Sequence, residues 1–227
     1  MQQIPLPIAP AAAPSFEGFV AGDNDQALQH LRSLVRRDAA SAPVFVWGPP
    51  GSGKTHLLHA LAAAWRSGGR GAATFDAATN TPWAIGDGVS LVVIDDCHAL
   101  DTRRQHAAFA LFVEAAGCGA QVAAAGRLPP VDLPLRDDLR TRLGWGLVFA
   151  LRPLADDALR AALQRHARER GIRVGDDVLD YLLTRCARDM GRLMPLFERL
   201  DRLAWVEKRA GITLPLLKRV LAGEEPT

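Results

Sequence analysis

The sequence predicts an α/β fold, a parallel sheet with helices packed on it, followed by a small all-helical subdomain. Three observations predict it. Short apolar runs alternate with helical patterns, a glycine-rich loop stands between one such run and a helix, and beyond Pro153 the pattern changes to 3.6-residue periodicity without strands.

The elements follow in order. Residues 1 to 15 are rich in Pro and Ala and carry no charge before Glu17, which predicts a flexible tail with polyproline character. Residues 24 to 37 set Leu28, Leu31, Leu34 and Val35 at helical spacing. Val44 to Trp47 is a short apolar run bounded by proline and glycine, and Leu57, Leu58, Leu61, Ala62 and Trp65 then repeat with helical period. That is strand, loop, helix. Strands are expected again at Ala72 to Asp76, Leu91 to Asp95, Gln121 to Ala125 and Leu147 to Leu151, with a helix over 103 to 116. Helices are then expected over 155 to 170, 176 to 187, 191 to 208 and 214 to 222, as in Leu159, Leu163 and His166 or Leu193, Phe197, Leu200 and Ala204, with Gly171, Gly191 and Gly211 at the breaks. The expected division is a tail over 1–14, a nucleotide-binding α/β subdomain over 15–152 and a helical subdomain over 153–227.

Composition narrows the class. With 227 residues, 48% of them hydrophobic, the chain can bury a substantial core. No stretch approaches the roughly 20 apolar residues that cross a bilayer, and the N-terminus lacks the basic-then-apolar pattern of a secretion signal. No membrane partner is expected, and the expected compartment is the cytoplasm. Cys97, Cys118 and Cys186 form no C-x-x-C pair and are expected to be small buried apolar residues. A formal charge of +2 is too mild to indicate a nucleic-acid binder. Of the 27 basic residues only Lys54, Lys208 and Lys218 are lysine, so a lysine here carries more information than an arginine.

Lys54 closes the segment GPPGSGKT, Gly48 to Thr55, which fits G-x-x-x-x-G-K-[ST] in its required setting, an apolar strand before it and a helix opening inside it. Glycines at Gly48, Gly51 and Gly53, with Pro49, Pro50 and Ser52 between them, let backbone N–H groups curl around phosphate oxygens, and the opening helix adds its positive dipole end. Lys54 is expected to reach the β- and γ-phosphates, and Thr55 to hold Mg²⁺ through its hydroxyl. About 40 residues on, LVVIDD closes an apolar run with Asp95 and Asp96, which brings two carboxylates to the carboxyl edge of the sheet. Asp95 suits the metal shell, and Asp96 suits orienting or deprotonating an attacking water.

This combination resembles the AAA+ nucleotidases, and GKTHLLHAL, which includes His56, and FEGFVAGDND at 16 to 25 resemble the DnaA branch of that family. The resemblance implies an AAA+ phosphate-loop fold with a helical lid, ADP or ATP as ligand, and Phe16, Phe19 and Val20 near the adenine. A hydrophobic staple on the core is the other reading of those three. LRDDLRTRLGWGL, 135 to 147, is similar to the segment that holds the family's arginine finger, and Arg142 falls on the finger position. ARDMGRL, 187 to 193, resembles the start of the lid helix that carries a second nucleotide-sensing arginine; Arg188 falls there, with Arg192 as competitor. One position departs from the pattern. QVAAAGRLPP offers Ala125, Gly126 and Arg127 where a polar residue should help place the lytic water, which argues for weak hydrolysis by the chain itself.

A full initiator continues past the lid into a DNA-reading helix-turn-helix domain, so a chain ending at Thr227 is expected to be a DnaA-like motor without that part. Gln3-Ile4-Pro5-Leu6-Pro7-Ile8 is similar to the Q-L-x-L-P-L type of peptide that docks on the β sliding clamp of DNA polymerase III. The spacer APAAAP, at ~3.1 Å per extended residue, would hold the motor roughly 20 Å from the clamp. Together these features resemble the regulatory inactivators of the DnaA-related family. The resemblance implies a regulator that docks on the DNA-loaded clamp, reaches DNA mainly through it, and applies Arg142 to the ATP of a neighbouring DnaA, with self-association left open. Two alternatives stand beside it: an autonomous AAA+ ATPase such as a helicase loader, and a nucleotide-gated adaptor without catalytic effect.

Overall fold

The computed structural model describes residues 14–36, 42–169, 171–185, 190–207 and 211–223, apart from the side chains of 169, 191 and 192. The clamp-like motif of Gln3, Ile4, Leu6, Pro7 and Ile8, Cys186, Arg188 and the Arg192 side chain lie outside it. The chain falls into two compact units, one ending at Leu151 and one beginning at Arg152, with the loop stretch Pro50–Gly53 grouped with the latter.

In the first unit the elements run α1 (Asp25–Val35), β1 (Val44–Trp47), α2 (Lys54–Ser67), β2 (Gly71–Phe75), β3 (Val89–Ile94), α3 (Thr102–Cys118), β4 (Gln121–Gly126), α4 (Asp137–Gly144) and β5 (Leu147–Ala150). The five strands form one parallel sheet in the order β2-β3-β4-β1-β5. Because successive side chains point to opposite faces, each strand feeds two cores. Val44, Val46, Leu91, Val93, Ala123 and Ala125 pack with α1 and α2. Phe45, Val92, Ile94, Val122 and Ala124 pack with α3 and α4 on the other face. Burial on both faces is why these strands read as continuous apolar runs rather than as alternations. The edge strand β5 departs from that rule, with Leu147 and Val148 exposed.

The second unit holds α5 (Asp156–Glu169), α6 (Asp176–Arg185), α7 (Met190–Val206) and α8 (Leu214–Ala222). Leu159, Leu163, Leu179, Leu182, Leu193, Phe197, Leu200 and Leu217 meet in its core. No described helix is long and apolar enough to cross a membrane.

Most expected boundaries lie within a residue or two of the observed ones, and the differences have reasons. Asp76 and Asp95 fall just beyond β2 and β3. The Asp95 N–H still donates to the Phe75 carbonyl, at 2.8 Å, so the ladder ends one residue before its sequence pattern does. Gly191 is no break, since α7 starts at Met190. Cys118, expected to be buried, is exposed in the last turn of α3, where Gly119 (φ 71°) turns the chain back toward β4. Cys97 is buried as expected, and burial pushes its thiol far up, leaving it inert.

Between α4 and β5 the backbone is crowded. The Leu147 N–H donates to the Pro43 carbonyl at 2.9 Å, and a Cβ on Gly146 would fall 1.8 Å from that same oxygen. Only glycine lets α4 turn directly into the edge strand. Gly146→Ala is expected to lower the stability of this unit by about 2 kcal/mol, read as a lower urea midpoint at unchanged m-value.

Candidate functional site

The topology opens a crevice at the carboxyl edge of the sheet. β1 is followed by α2 on one face, whereas β3 and β4 are followed by α3 and α4 on the other, so the neighbours β1 and β4 send their chains apart. Register ends β1 and β4 together and β3 two residues short of them. Trp47 pairs with Gly126 and Ala124 with Ile94, which sets Gly48, Asp95 and Arg127 along one edge.

The loop after β1 is tied to that edge and to its own lysine. The Gly48 N–H donates to the Gly126 carbonyl at 3.3 Å, and the Lys54 ammonium, 7% exposed, donates to the carbonyls of Gly48 and Pro49, both at 2.8 Å. Gly51 and Gly53 hold φ of 78° and 90°, which side chains with a Cβ rarely adopt. A closed, glycine-shaped loop leading into the first turn of α2 is the geometry that gathers backbone donors for an anion. Ser52 is buried beside it.

Asp95 lies at the floor of the site, 5% exposed. Burial raises its pKa, and the charge of Asp96 adds to the shift, while hydrogen bonds from the Thr55 hydroxyl and the Asp96 N–H pull the other way. A carboxylate pressed into so dry a place is best stabilised as an anion by a cation. Among the described residues no group of three or more His, Cys, Asp or Glu could hold a metal ion. Thr55 and Asp95, an oxygen donor pair, are the residues that would hold a hard divalent cation at this floor.

Asp96 is exposed and adopts φ 48°, the one described non-glycine residue in the left-handed region. That conformation costs about 1 kcal/mol or more and is concentrated at functional turns. It swings the chain into the short helical turn Cys97–Ala99 and brings in a residue that sequence reasoning missed. His98 Nδ1 lies 3.8 Å from the Asp96 carboxylate, too far for a hydrogen bond, and is buried without a hydrogen-bond partner. Burial lowers its pKa; Asp96 and Asp95 oppose the shift, and Arg127 and Lys54 reinforce it. A histidine three residues past Asp95 was the available signal. The end of β4 supplies no such polar group. Ala125 is fully buried, and a Cβ on Gly126 would meet the Phe45 ring at 2.9 Å, so packing explains the small residues there.

The segment before α1 packs against the start of α2. His56 Nε2 lies 2.9 Å from the Ser15 carbonyl, Phe16 is buried in the core, and the Arg32 guanidinium donates to the Phe16 carbonyl at 3.1 Å. Phe16 thus packs on the core. Phe19 is partly buried with its ring 5.8 Å from that of His56, and Val20 is half-buried beside it.

Arg142 lies on α4, and its contacts are with none of these residues. Its guanidinium sits 5.2 Å from the Trp145 ring centroid and 6.0 Å from that of Phe109 on α3.

Asp95 yields a sign for pH dependence. Unfolded, its carboxyl releases the proton near pH 3.9; folded, it holds the proton to higher pH, so the folded state loses stability as pH rises through that window and carries the full penalty above it. Asp95→Asn is expected to raise the thermal midpoint of the nucleotide-free chain at pH 7, with the gap to wild type closing below about pH 4. Thermal unfolding over a pH series measures it.

Comparison with known proteins completes the site's context. Residues 156–221 match the family model described as "Hda, lid domain", and residues 12–72 match "Bacterial DnaA ATPAse domain". Among solved structures, domain III of the Thermotoga maritima replication initiation protein DnaA is similar at 20% identity and TM-score 0.77, over 96% of this chain and 100% of that one. AMPPCP-bound DnaA from Aquifex aeolicus gives 20% identity and TM-score 0.68, over 84% of this chain and 65% of that one. The Thermotoga maritima RuvB Holliday junction branch migration motor gives 18% and 0.68, over 92% and 71%. These likenesses show the fold, a parallel sheet with helices and a helical C-terminal region. The two family matches together indicate an Hda-like, DnaA-related AAA+ protein.

Proposed function

We propose that the chain is a regulator that binds ADP or ATP with Mg²⁺ at its phosphate loop, docks on the DNA-loaded β sliding clamp, and promotes hydrolysis of DnaA-bound ATP in trans. Re-initiation of replication is then suppressed, because DnaA-ATP becomes DnaA-ADP. The observation that carries this reading is Arg142, a cation held over two aromatic rings whose guanidinium has no hydrogen bond or ion pair among the described residues. Such an arginine is available to a neighbour's γ-phosphate.

The roles divide along the chain. Residues 1–14 carry the clamp motif Gln3, Ile4, Leu6, Pro7 and Ile8, an extended segment whose apolar side chains fill pockets while its prolines lower the ordering cost. Residues 15–152 bind the nucleotide: Gly48 to Thr55 hold phosphates, Thr55 and Asp95 share the metal, and Phe19, Val20 and His56 border the base. Residues 153–227 form the lid, with Arg188, or its competitor Arg192, sensing the bound nucleotide. When bound, Mg²⁺ neutralises phosphate charge and orients the oxygens. Lys54, already desolvated among carbonyls, exchanges those acceptors for phosphate oxygens. Asp96 is the residue placed to handle a water, but the apolar end of β4 leaves the chain's own hydrolysis weak.

An autonomous ATPase is the second reading, supported by the intact set of Lys54, Thr55, Asp95 and Asp96. Turnover insensitive to DnaA and abolished by Asp96→Asn would favour it. The proposed function is tested by Arg142→Ala, which is expected to leave nucleotide affinity unchanged and to lower stimulated hydrolysis of DnaA-bound ATP by about 10³-fold or more. Unchanged stimulation would leave a non-catalytic adaptor as the account.

A further inference from the structure

Trp145 exposes 71% of its surface, and a side chain so exposed adds little to folding. Leu139 and Leu143, on the same helix, carry the packing at 1% exposure each. Yet the backbone of Trp145 is closely fixed. It caps α4 by donating its N–H to the Arg142 carbonyl at 3.4 Å, and the next residue, Gly146, is wedged against Pro43. An indole carried on a fixed stretch of backbone therefore stands three residues after a flexible arginine, on the same helical face. Phe109, half-buried on α3, supplies the second ring.

We propose that Trp145, with Phe109 behind it, is a positioning residue that holds the Arg142 guanidinium ready for the partner's nucleotide. The proposal rests on the finger reading of Arg142. A free arginine side chain loses roughly 2 kcal/mol of rotamer freedom when one pose is imposed on it, and a ring that already holds the guanidinium removes part of that loss before the partner arrives. Both rings lie within the range at which an arginine is attracted to an aromatic face, and the attraction at exposed sites corresponds to a factor of about two to five in a conformational equilibrium. Because Trp145 acts through Arg142, it alters the rate once the partner is bound. It leaves the strength of docking unchanged.

The test is steady-state hydrolysis of DnaA-bound ATP on clamp-loaded DNA, with the full chain titrated to saturation. Trp145→Leu, which keeps bulk without a π face, is expected to lower the saturating rate about two- to fivefold at unchanged half-saturating concentration and unchanged thermal midpoint. Trp145→Phe is expected to restore most of the rate. In the double variant with Arg142→Ala, the change at 145 should have no further effect. A Trp145→Leu chain with the wild-type rate, or one with raised half-saturation and an intact maximal rate, overturns the proposal, the latter because Trp145 would then be a docking contact. Full stimulation by Arg142→Ala alone would instead sink the finger reading, so the two failures are distinguishable.

Discussion

The grip of the Lys54 ammonium on the carbonyls of Gly48 and Pro49 is the interaction on which the arrangement of the site depends. A nearly buried ammonium must keep its donors occupied, and here it does so by closing the loop that follows β1 around itself. The loop is fixed to the sheet in turn, through Gly48 and the last carbonyl of β4. The anion-binding geometry is built before any anion arrives, and only the acceptors of Lys54 need to change when one does.

The same economy explains the floor and the edge of the site. Asp95 is buried at a cost visible in its raised pKa, which an incoming cation relieves. Gly126 is excluded from carrying any side chain by Phe45, a fully buried residue of the facing core. Packing of the sheet thus accounts for the small residues at the end of β4, while the nitrogen of His98 near Asp96 is left without a hydrogen-bond partner. An intact phosphate loop beside an apolar sensor strand suits a protein that holds nucleotide more than it consumes it. Arg142 is held elsewhere, by rings instead of by a carboxylate.

The fold was legible because a parallel sheet buried on both faces leaves short apolar runs, and because GPPGSGKT constrains its own surroundings. The placing of Lys54, Thr55 and Asp95 at one edge of the sheet could be expected for the same reason: the loop's pattern comes with a fixed spacing. Other features depended on geometry that no local pattern encodes. His98 reaches the site only through the left-handed turn at Asp96, and Cys118 is exposed only because α3 ends at Gly119. Phe16 could be read as staple or base contact, and the structure shows its side chain buried in the core. Trp145 had no meaning in sequence beyond a helix end; its relation to Arg142 and Phe109 requires α3 and α4 to pack together.

The account's central claim is that this motor acts on a neighbour's nucleotide, at the clamp. The most direct measurement is hydrolysis of DnaA-bound ATP with and without clamp-loaded DNA, comparing the intact chain with one lacking residues 1–8. The account predicts stimulation by the intact chain only when loaded clamp is present, and loss of that stimulation by the shortened chain at unchanged affinity for ADP. Equal, clamp-independent activity of the two chains would contradict it.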